Sequence, residues 1–344
     1  MAGVGAAVRL SDVAARAGVS VKTVSNVVHG YVHVRPETRR RVQAALDELG
    51  YRPNLSARSL RQGRSGMVAL AVPGLHVPYF AELARAVVDA AGTVGWTVLV
   101  DQTDGEADRE RQVADGLRGH LIDGLILSPM ALHAADLRHN TGVPLVLVGE
   151  RISDGAIDHV GVDNVAAARA ATEHLLSLGR TRVAALGYQS PELASSGVAA
   201  LRRRGYEEGL TAAGLPHRSE WTPEVARYTR AEGASATAAL LDVADRPDAI
   251  FCFNDELALG TLHALARRRV RVPEDVAVIG FDDIEDGRFS TPTLSTVAPD
   301  KVILARGAVD LLQARIADPS QAARDLRVPF ALATRESTLG PPVA

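Results

Sequence analysis

Cysteine is nearly absent from this 344-residue sequence, in which it occurs only at Cys252. A single cysteine excludes an internal disulfide and fits a protein of the reducing cytoplasm. Cys252 lies in the apolar run over residues 249–253, which favours a buried structural thiol over a nucleophile. We therefore expect a cytoplasmic protein that is not held together by disulfides.

Long hydrophobic runs are absent too, and none approaches the length of a membrane span. The first residues, MAGVGAAV, lack the basic start and the long apolar segment of an export signal. Hydrophobic residues make up 47% of the chain and its mean hydropathy is +0.03, as in soluble globular proteins. The length allows two or three domains, and we expect no membrane partner.

The motifs of common catalytic sites are also missing. The sequence has no nucleophile elbow, no P-loop and no dinucleotide glycine fingerprint after a strand. Its ten histidines form no cluster with metal-ligand spacing, and Gly30 would interrupt any helix that joined His29 to His33. We therefore expect neither an enzyme nor a bound cofactor or metal.

The charge that is present is unevenly distributed. Residues 1–64 carry eleven basic and four acidic side chains, a net charge of +7. Because the whole chain has a net charge of −3, the remainder carries about −10. A basic head on an acidic body is the electrostatic pattern of a nucleic-acid-binding module.

Two short helices separated by a glycine are predicted within this basic head. Ser11 is expected to cap the first helix, which would end at Gly18, and Ser20 is expected to cap the second. A third helix should begin at Pro36, where proline is favoured as the first helical residue. A helical hairpin packed on a core is the simpler interpretation, but the basic charge favours a helix-turn-helix, whose second helix enters the major groove of DNA.

From Met67 onwards, short apolar runs alternate with amphipathic helical stretches. The runs MVALAV, WTVLV, GLILSP and PLVLVG predict buried parallel strands, and the pattern repeats after Gly161. Strand–helix alternation predicts right-handed βαβ units, here in two sets. We expect two α/β lobes with a cleft, in which a ligand would lie beyond the carboxyl ends of the strands.

Two segments, LSDVAARAGVSVKTVSNVVHG and TRRRVQAALDELGYRPNLSARSLR, resemble the DNA-binding head and hinge of the LacI/GalR family of transcriptional regulators. The resemblance continues through nearly the whole chain. It implies an all-α helix-turn-helix head with a hinge helix, followed by a periplasmic-binding-protein-like α/β core of two doubly wound parallel-sheet lobes. The implied divisions are the head over 1–53, the hinge helix and linker over 54–66, the first lobe over 67–163 and 297–325, and the second lobe over 164–296 and 326–344.

The resemblance implies DNA contacts on the second helix and on the hinge. Leu60 matches a leucine that wedges into the minor groove, and Arg58 would lie near phosphates. Lys22 and Asn26 have the hydrogen-bonding groups that suit guanine and adenine. A flexible linker is the alternative for the hinge. The expected DNA-binding residues are Val21, Lys22, Thr23, Ser25, Asn26, His29, Asn54, Ala57, Arg58 and Leu60.

The resemblance also implies an effector site in the cleft. Arg202 lies in an R-x-x-G-aromatic motif, and a guanidinium together with the carboxylate of Asp282 would fix hydroxyls or a carboxylate of a ligand. From spacing alone, the polar residues at strand ends could equally be helix caps, and Asp255 looks like the cap of the helix that follows it. The expected effector-binding residues are Tyr79, Phe80, Arg202, Tyr228, Asn254 and Asp282.

Tyr79 and Phe80 have an alternative role, since without the resemblance they would simply begin a packed helix. No apolar heptads follow the predicted core, so a homodimer is favoured over a coiled-coil tetramer. The sequence thus predicts a DNA-binding transcriptional regulator, a repressor of carbohydrate-related genes, that binds a near-palindromic operator and a small effector. A sugar is the favoured effector, a purine or nucleoside is the alternative, and a solute-binding protein is a more distant one.

Overall fold

The structure is a computed structural model that describes residues 8–28, 31, 33–51, 64–115, 121–132, 134–137, 143–149, 155–190 and 197–340. The chain divides into two units, one up to Ser65 and one from Gly66. In the first unit, the described residues form three helices, α1 (Leu10–Ala17), α2 (Val21–Val28) and α3 (Pro36–Leu49). Their apolar faces meet in a small core of Val13, Ala14, Ala17, Val24, Val27, Val42, Ala45 and Leu46.

The turn between α1 and α2 has the helix-turn-helix geometry that the sequence predicts. Gly18 ends α1 with a φ of 62°, a left-handed conformation that glycine adopts at little cost. Ser20 caps α2, because its Oγ accepts a hydrogen bond from the backbone N–H of Thr23 at 3.2 Å. The cap expected at Ser11 is wrong: the N-cap of α1 is Arg9, two residues earlier, and the Asp12 carboxylate accepts the N–H of Arg9 at 2.8 Å.

The second unit contains two sheets, and their strands come from short apolar runs. The first sheet consists of β1 (Met67–Val72), β2 (Thr97–Gln102), β3 (Gly124–Leu127), β4 (Leu145–Val148), β5 (Asp158–Val162) and β10 (Asp325–Val328). These strands are all parallel, in the order β10-β5-β4-β3-β1-β2. The second sheet consists of β6 (Val183–Leu186), β7 (Ala249–Cys252), β8 (Ala277–Phe281), β9 (Ser295–Pro299) and β11 (Phe330–Ala333). Its order is β11-β9-β8-β7-β6, and only the pair β9–β11 is antiparallel.

Helices flank both sheets and complete the two α/β lobes. In chain order, they are α4 (Pro78–Thr93), α5 (Ala107–Ala114), α6 (Ala134–Leu137), α7 (Asn164–Ser177), α8 (Val198–Ala212), α9 (Arg230–Asp242), α10 (Asp255–Arg267), α11 (Glu285–Arg288), α12 (Lys301–Ala317) and α13 (Glu336–Leu339). The long helix α12 packs against α4 and against β3, β4 and β5, so the chain returns to the first lobe there.

The crossover points lie a few residues from those predicted. The sequence assigned residues 297–325 to the first lobe, but β9 continues to Pro299 within the second sheet. The sequence also assigned residues from 326 to the second lobe, but β10 pairs with β5 of the first sheet as far as Val328. Both bounds were implied by the resemblance, and both errors have one cause: strand partners are set by hydrogen-bonding register, which a family motif does not fix to the residue.

Cys252 is fully buried in β7, in agreement with a structural thiol, and its Sγ lies 3.3 Å from the Oγ1 of Thr261. Burial raises the pKa of this thiol to about 12, which keeps it protonated and unreactive at neutral pH. Among the described residues, no helix has both the length and the apolar character that a membrane span needs.

Candidate functional site

The outer face of α2 is formed by the residues that are not buried in the core of the head. Val24 and Val27 are buried, whereas Val21 is 46% exposed and Lys22 is also exposed. Ser25 and Asn26 are partly exposed on the same helix. The Thr23 hydroxyl lies 2.9 Å from that of Ser20, so this side chain belongs to the helix cap. The structure therefore places the expected base-contacting residues at the surface of the head.

Four arginines of the head fall into two groups. Arg39 donates to the carbonyl oxygen of Tyr31 at 2.6 Å, Arg41 donates to that of Gly18 at 3.3 Å, and both contacts hold loops in place. Arg35 and Arg40 are exposed and add positive potential to the surface. Tyr31, which is 54% exposed just beyond α2, is a candidate DNA contact that sequence reasoning missed.

Five expected DNA contacts lie outside the described residues. They are His29 in the segment after α2, and Asn54, Ala57, Arg58 and Leu60 in the expected hinge. Their roles, including the minor-groove wedge at Leu60, stay predictions.

In the core, Arg202 lies on α8 beside the carboxyl ends of β7 and β8. It is only 5% exposed, and its Nε donates to the Oδ1 of Asn164 at 2.8 Å. Its Nη1 donates to the carbonyl oxygen of Phe253, and its Cζ lies 3.5 Å from the centre of the Phe281 ring. Its Nη2 lies 3.9 Å from the Oδ1 of Asp282. The guanidinium is thus fixed in one plane, with one amino group near a carboxylate.

The glycine and tyrosine of the R-x-x-G-aromatic motif have structural roles. A Cβ at Gly205 would lie 2.2 Å from the carbonyl oxygen of Val165, because α7 and α8 pack closely there. Tyr206 is fully buried and its hydroxyl donates to the carbonyl oxygen of Val183 at 2.7 Å. These contacts fix α8 in the position from which Arg202 reaches Asp282.

Asp282 follows β8 in a turn with unusual backbone geometry. Its φ is 114° and that of Asp283 is 49°, both in the left-handed region that non-glycine residues rarely adopt. The N–H of Asp282 donates to the carbonyl oxygen of Val297 at 2.8 Å. Burial raises the pKa of Asp282 to about 6, and the charges of Arg202 and Lys301 partly offset this rise. Strained backbone around a buried carboxyl group is characteristic of functional sites.

The cap of α10 lies one residue earlier than the sequence suggests. Asn254 is the cap of α10, since its Oδ1 accepts the N–H of Leu257 at 2.9 Å, and its NH2 group is the part that could donate to a ligand. The cap proposed at Asp255 is wrong. Asp255 is fully buried, and its carboxylate accepts the Ile284 N–H at 2.9 Å and the Thr296 hydroxyl at 2.7 Å. Burial and the neighbouring Asp282 raise the pKa of Asp255 well above its usual range.

The three aromatic candidates lie in the core, partly exposed. The hydroxyl of Tyr228 donates to the carbonyl oxygen of Gly187 at 2.7 Å, and burial raises the pKa of this phenol well above its usual value. Tyr79 and Phe80 begin α4 with their rings 5.3 Å apart, and both also pack against the core. The Tyr79 ring centre lies 5.7 Å from the Nζ of Lys301. Tyr79 can therefore both pack against the core and lie beside the ligand site.

A group of charged residues near Asp282 was missed by sequence reasoning. The carboxylate of Glu82, on α4, pairs with Lys301 and accepts the N–H of Glu285 at 2.9 Å. Lys301 also donates to the carbonyl oxygen of Asp283 at 3.0 Å. Glu82 is part of the PYFAE segment that pointed to Tyr79 and Phe80, but Lys301 carried no signal, because it lies 219 residues further along the chain.

Two family models match this chain, one in each of its two structural units. The model for bacterial regulatory proteins of the lacI family matches residues 9–54. The model for a periplasmic binding protein-like domain matches residues 172–338. Each match falls within one of the two units.

Known proteins match over almost the full length. The chain is 33% identical to the ribose operon repressor of Halalkalibacterium halodurans, over 96% of this chain and 97% of that protein. The structure of a transcriptional regulator CelR–cellobiose complex matches with a TM-score of 0.71 and 30% identity, covering 96% of this chain and 99% of that one. The structure of the lac repressor dimer bound to operator and the anti-inducer ONPF matches with a TM-score of 0.84 and 28% identity, covering 97% and 100%.

A helix-turn-helix head followed by a two-lobed α/β core defines a class of DNA-binding regulators that carry a ligand-binding core. With a third of its residues identical to a family repressor over nearly its whole length, the chain belongs to the LacI family of bacterial regulatory proteins. The expected family is thereby confirmed, as are the helix-turn-helix head and the two-lobed α/β core of the expected fold, whereas the hinge helix lies outside the described residues.

Proposed function

We propose that this protein is a transcriptional repressor of carbohydrate-related genes. It binds a near-palindromic operator as a homodimer, and a small effector bound in its core controls its affinity for DNA. The observation that carries this proposal is the buried pair of Arg202 and Asp282, 3.9 Å apart at the strand ends of the second sheet. A ligand-binding pair of this kind, in a chain that begins with a helix-turn-helix, links DNA binding to a metabolite.

The surface of the head supports the DNA-binding part of the proposal. Val21, Lys22 and Asn26 lie on the outer face of α2, the helix that enters the major groove in this motif. The exposed arginines beside them would contact phosphates, which supply affinity but no sequence information. The operator-bound dimer of the lac repressor supports a dimeric complex of the same kind.

The chemistry of the core favours a neutral sugar as the effector. The guanidinium of Arg202 donates hydrogen bonds and the carboxylate of Asp282 accepts them, so neighbouring sugar hydroxyls can satisfy both. Arg202 covers one face of the Phe281 ring, 3.5 Å from its centre, so a purine cannot stack on that face. The cellobiose complex and the ribose operon repressor support a sugar for this chain too.

We further infer that the protein acts as a binding protein and catalyses no reaction. The guanidinium of Arg202 is fixed by Asn164 and Phe253, as suits a recognition group. A protein that acts on bacterial DNA works in the cytoplasm, which is the location we assign to it.

A thermal-shift screen of the full-length protein against sugars, sugar phosphates, nucleosides and purines tests the proposal. A ligand held at a hundred times its Kd should add about 2.7 kcal/mol to the stability of the core. We expect a neutral sugar to produce this shift, and the Arg202→Gln variant to lose it. Arg204→Gln is the matched control, because Arg204 lies on the same helix with its side chain 69% exposed.

A shift with purines alone would contradict the sugar assignment while leaving a ligand-controlled regulator in place. Stabilisation by no compound, or equal stabilisation of the Arg202→Gln variant, would contradict the assignment of the site itself.

A further inference from the structure

We propose that Glu82 and Lys301 form a latch between the two lobes that holds the Asp282 turn in its ligand-binding conformation. This inference rests on the proposed ligand site at Arg202 and Asp282. It assigns the two residues a positioning role rather than a direct contact with the ligand.

The first observation is the position of the pair. Glu82 lies on α4 in the first lobe, and both of its carboxylate oxygens are used. One accepts the N–H of Glu285 at the start of α11 in the second lobe, at 2.9 Å, and the other pairs with Lys301. Lys301 is the first residue of α12, at the crossover from the second lobe back to the first. Glu82 therefore links the first lobe both to the ligand-site turn of the second lobe and to the crossover.

The second observation concerns the turn itself, residues 282–285. Three of its backbone N–H groups are held from within the second lobe, since Asp282 and Asp283 donate to β9 and Ile284 donates to the carboxylate of Asp255. Two further backbone groups depend on the pair: the Asp283 carbonyl oxygen accepts from Lys301 at 3.0 Å, and the Glu285 N–H donates to Glu82. Because Asp282 and Asp283 have left-handed backbone, the turn needs such contacts to keep its shape.

The third observation is electrostatic. The side chains of Lys301 and Glu82 are 13% and 33% exposed, so water screens the pair less than it screens surface ion pairs. The charge of Lys301 favours the ionised form of Asp282, while that of Glu82 opposes it. The Tyr79 ring lies 5.7 Å from the Nζ of Lys301. The pair therefore lies between Tyr79, a predicted ligand contact from the first lobe, and the Asp282 carboxylate, the proposed ligand contact from the second lobe.

A positioning role and a purely stabilising role of the pair predict different experimental results. If the pair only stabilised the fold, its loss would lower the free energy of unfolding and leave the exchange of the turn and the ligand affinity unchanged. If it positions the turn, its loss should increase backbone opening at residues 282–285 and weaken the binding of ligands at Asp282.

Hydrogen exchange of the ligand-free, full-length protein tests the latch without knowledge of the effector. We expect amides in residues 282–286 to exchange about tenfold faster in Glu82→Ala and Lys301→Ala than in the wild type. Glu82→Gln keeps an acceptor for the Glu285 N–H but loses the charge, so its exchange rate should lie between those of the wild type and Glu82→Ala. Lys301→Arg should restore most of the protection. Asp89→Asn is the control, because Asp89 is exposed on the same helix.

Titration with ribose and with cellobiose supplies the second readout. We expect any wild-type affinity for either sugar to fall about tenfold in Glu82→Ala and to be kept in Asp89→Asn. Unchanged exchange of residues 282–286 in both alanine variants would overturn the latch, whatever the sugars do. Faster exchange together with wild-type sugar affinity would overturn its role in binding. Failure of the wild type to bind either sugar would count against the proposed effector class, while the exchange rates would still decide the latch.

Discussion

The head and the core each contain an arginine–carboxylate pair, and the two pairs occupy opposite environments. Arg16 and Glu48 meet at 2.7 Å in the head, where their side chains are 56% and 53% exposed. Arg202 and Asp282 are 3.9 Å apart in the core, with 6% and 12% exposed. The shorter pair is screened by water and contributes little, whereas each member of the longer pair is costly to leave alone. Burial, more than distance, therefore marks the pair that we assign to ligand binding.

The largest effect should come from breaking the buried pair. Arg202→Met removes the cation that accompanies Asp282 and leaves the Phe253 carbonyl without its donor, so we expect the core to lose about 3–5 kcal/mol of unfolding free energy at neutral pH. Arg16→Met in the head should cost no more than about 1 kcal/mol. Urea unfolding of the full chain, followed by a probe in each unit, measures both values. Equal losses would contradict the comparison.

Titration of Asp282 should change the free energy of unfolding by up to about 3 kcal/mol, because the pKa of this carboxyl is raised from 3.8 to about 6. The folded chain holds this proton more tightly than the unfolded chain does. The contribution of this carboxyl to stability is therefore fully present below about pH 4 and is lost as the pH rises through about 6. Asp282→Asn cannot titrate and should lack this decline. Urea unfolding between about pH 4 and about pH 7 measures it, with Asp89→Asn as the control.

If wild type and Asp282→Asn showed parallel stability curves over this range, the raised pKa would be wrong. Ligand affinity provides a second check, since only the carboxylate accepts two hydroxyl donors. Binding of a sugar should therefore weaken as the pH falls below about 6.

The smallest effects should distinguish two kinds of glycine. Gly205→Ala would bring a Cβ to 2.2 Å from the Val165 carbonyl oxygen, and overpacking of this kind costs about 1–3 kcal/mol. In Gly18→Ala the new Cβ would meet only the Nη2 of Arg41 at 4.0 Å, an ordinary contact, so the cost comes from the φ of 62° and is about 1 kcal/mol. Gly205→Ala should also weaken sugar binding, because α8 carries Arg202, and Gly18→Ala should not. Equal sugar affinity in the two variants would show that α8 can shift without disturbing the site.

The sequence allowed much of the head and core to be predicted because their patterns are local. Residues close in sequence determine the turn at Gly18, the start of α3 at Pro36 and the short apolar runs that form strands. The expected cap at Ser11 was wrong by two positions, since the Asp12 carboxylate accepts the N–H of Arg9 and α1 starts earlier. Cap residues compete over one or two positions, and propensity alone does not decide between them.

The site was only partly predictable, because its supporting contacts are distant in sequence. Arg202 and Asp282 stood out through motifs, and the structure brings them together across 80 residues. Asp255 looked like a helix cap, but its partners Ile284 and Thr296 lie 29 and 41 residues away. The Glu82–Lys301 pair joins residues 219 positions apart, so only the fold reveals it.

The central claim, that a sugar in the core controls DNA binding by the head, is tested most directly by operator affinity. Fragments of the source genome retained by the purified protein would supply the operator, and fluorescence anisotropy would then give its Kd with and without the sugar found in the screen. We expect the sugar to change the Kd of the wild type by about 5- to 150-fold and to leave that of Asp282→Asn unchanged. An unchanged Kd in the wild type, or an equal response in Asp282→Asn, would contradict it.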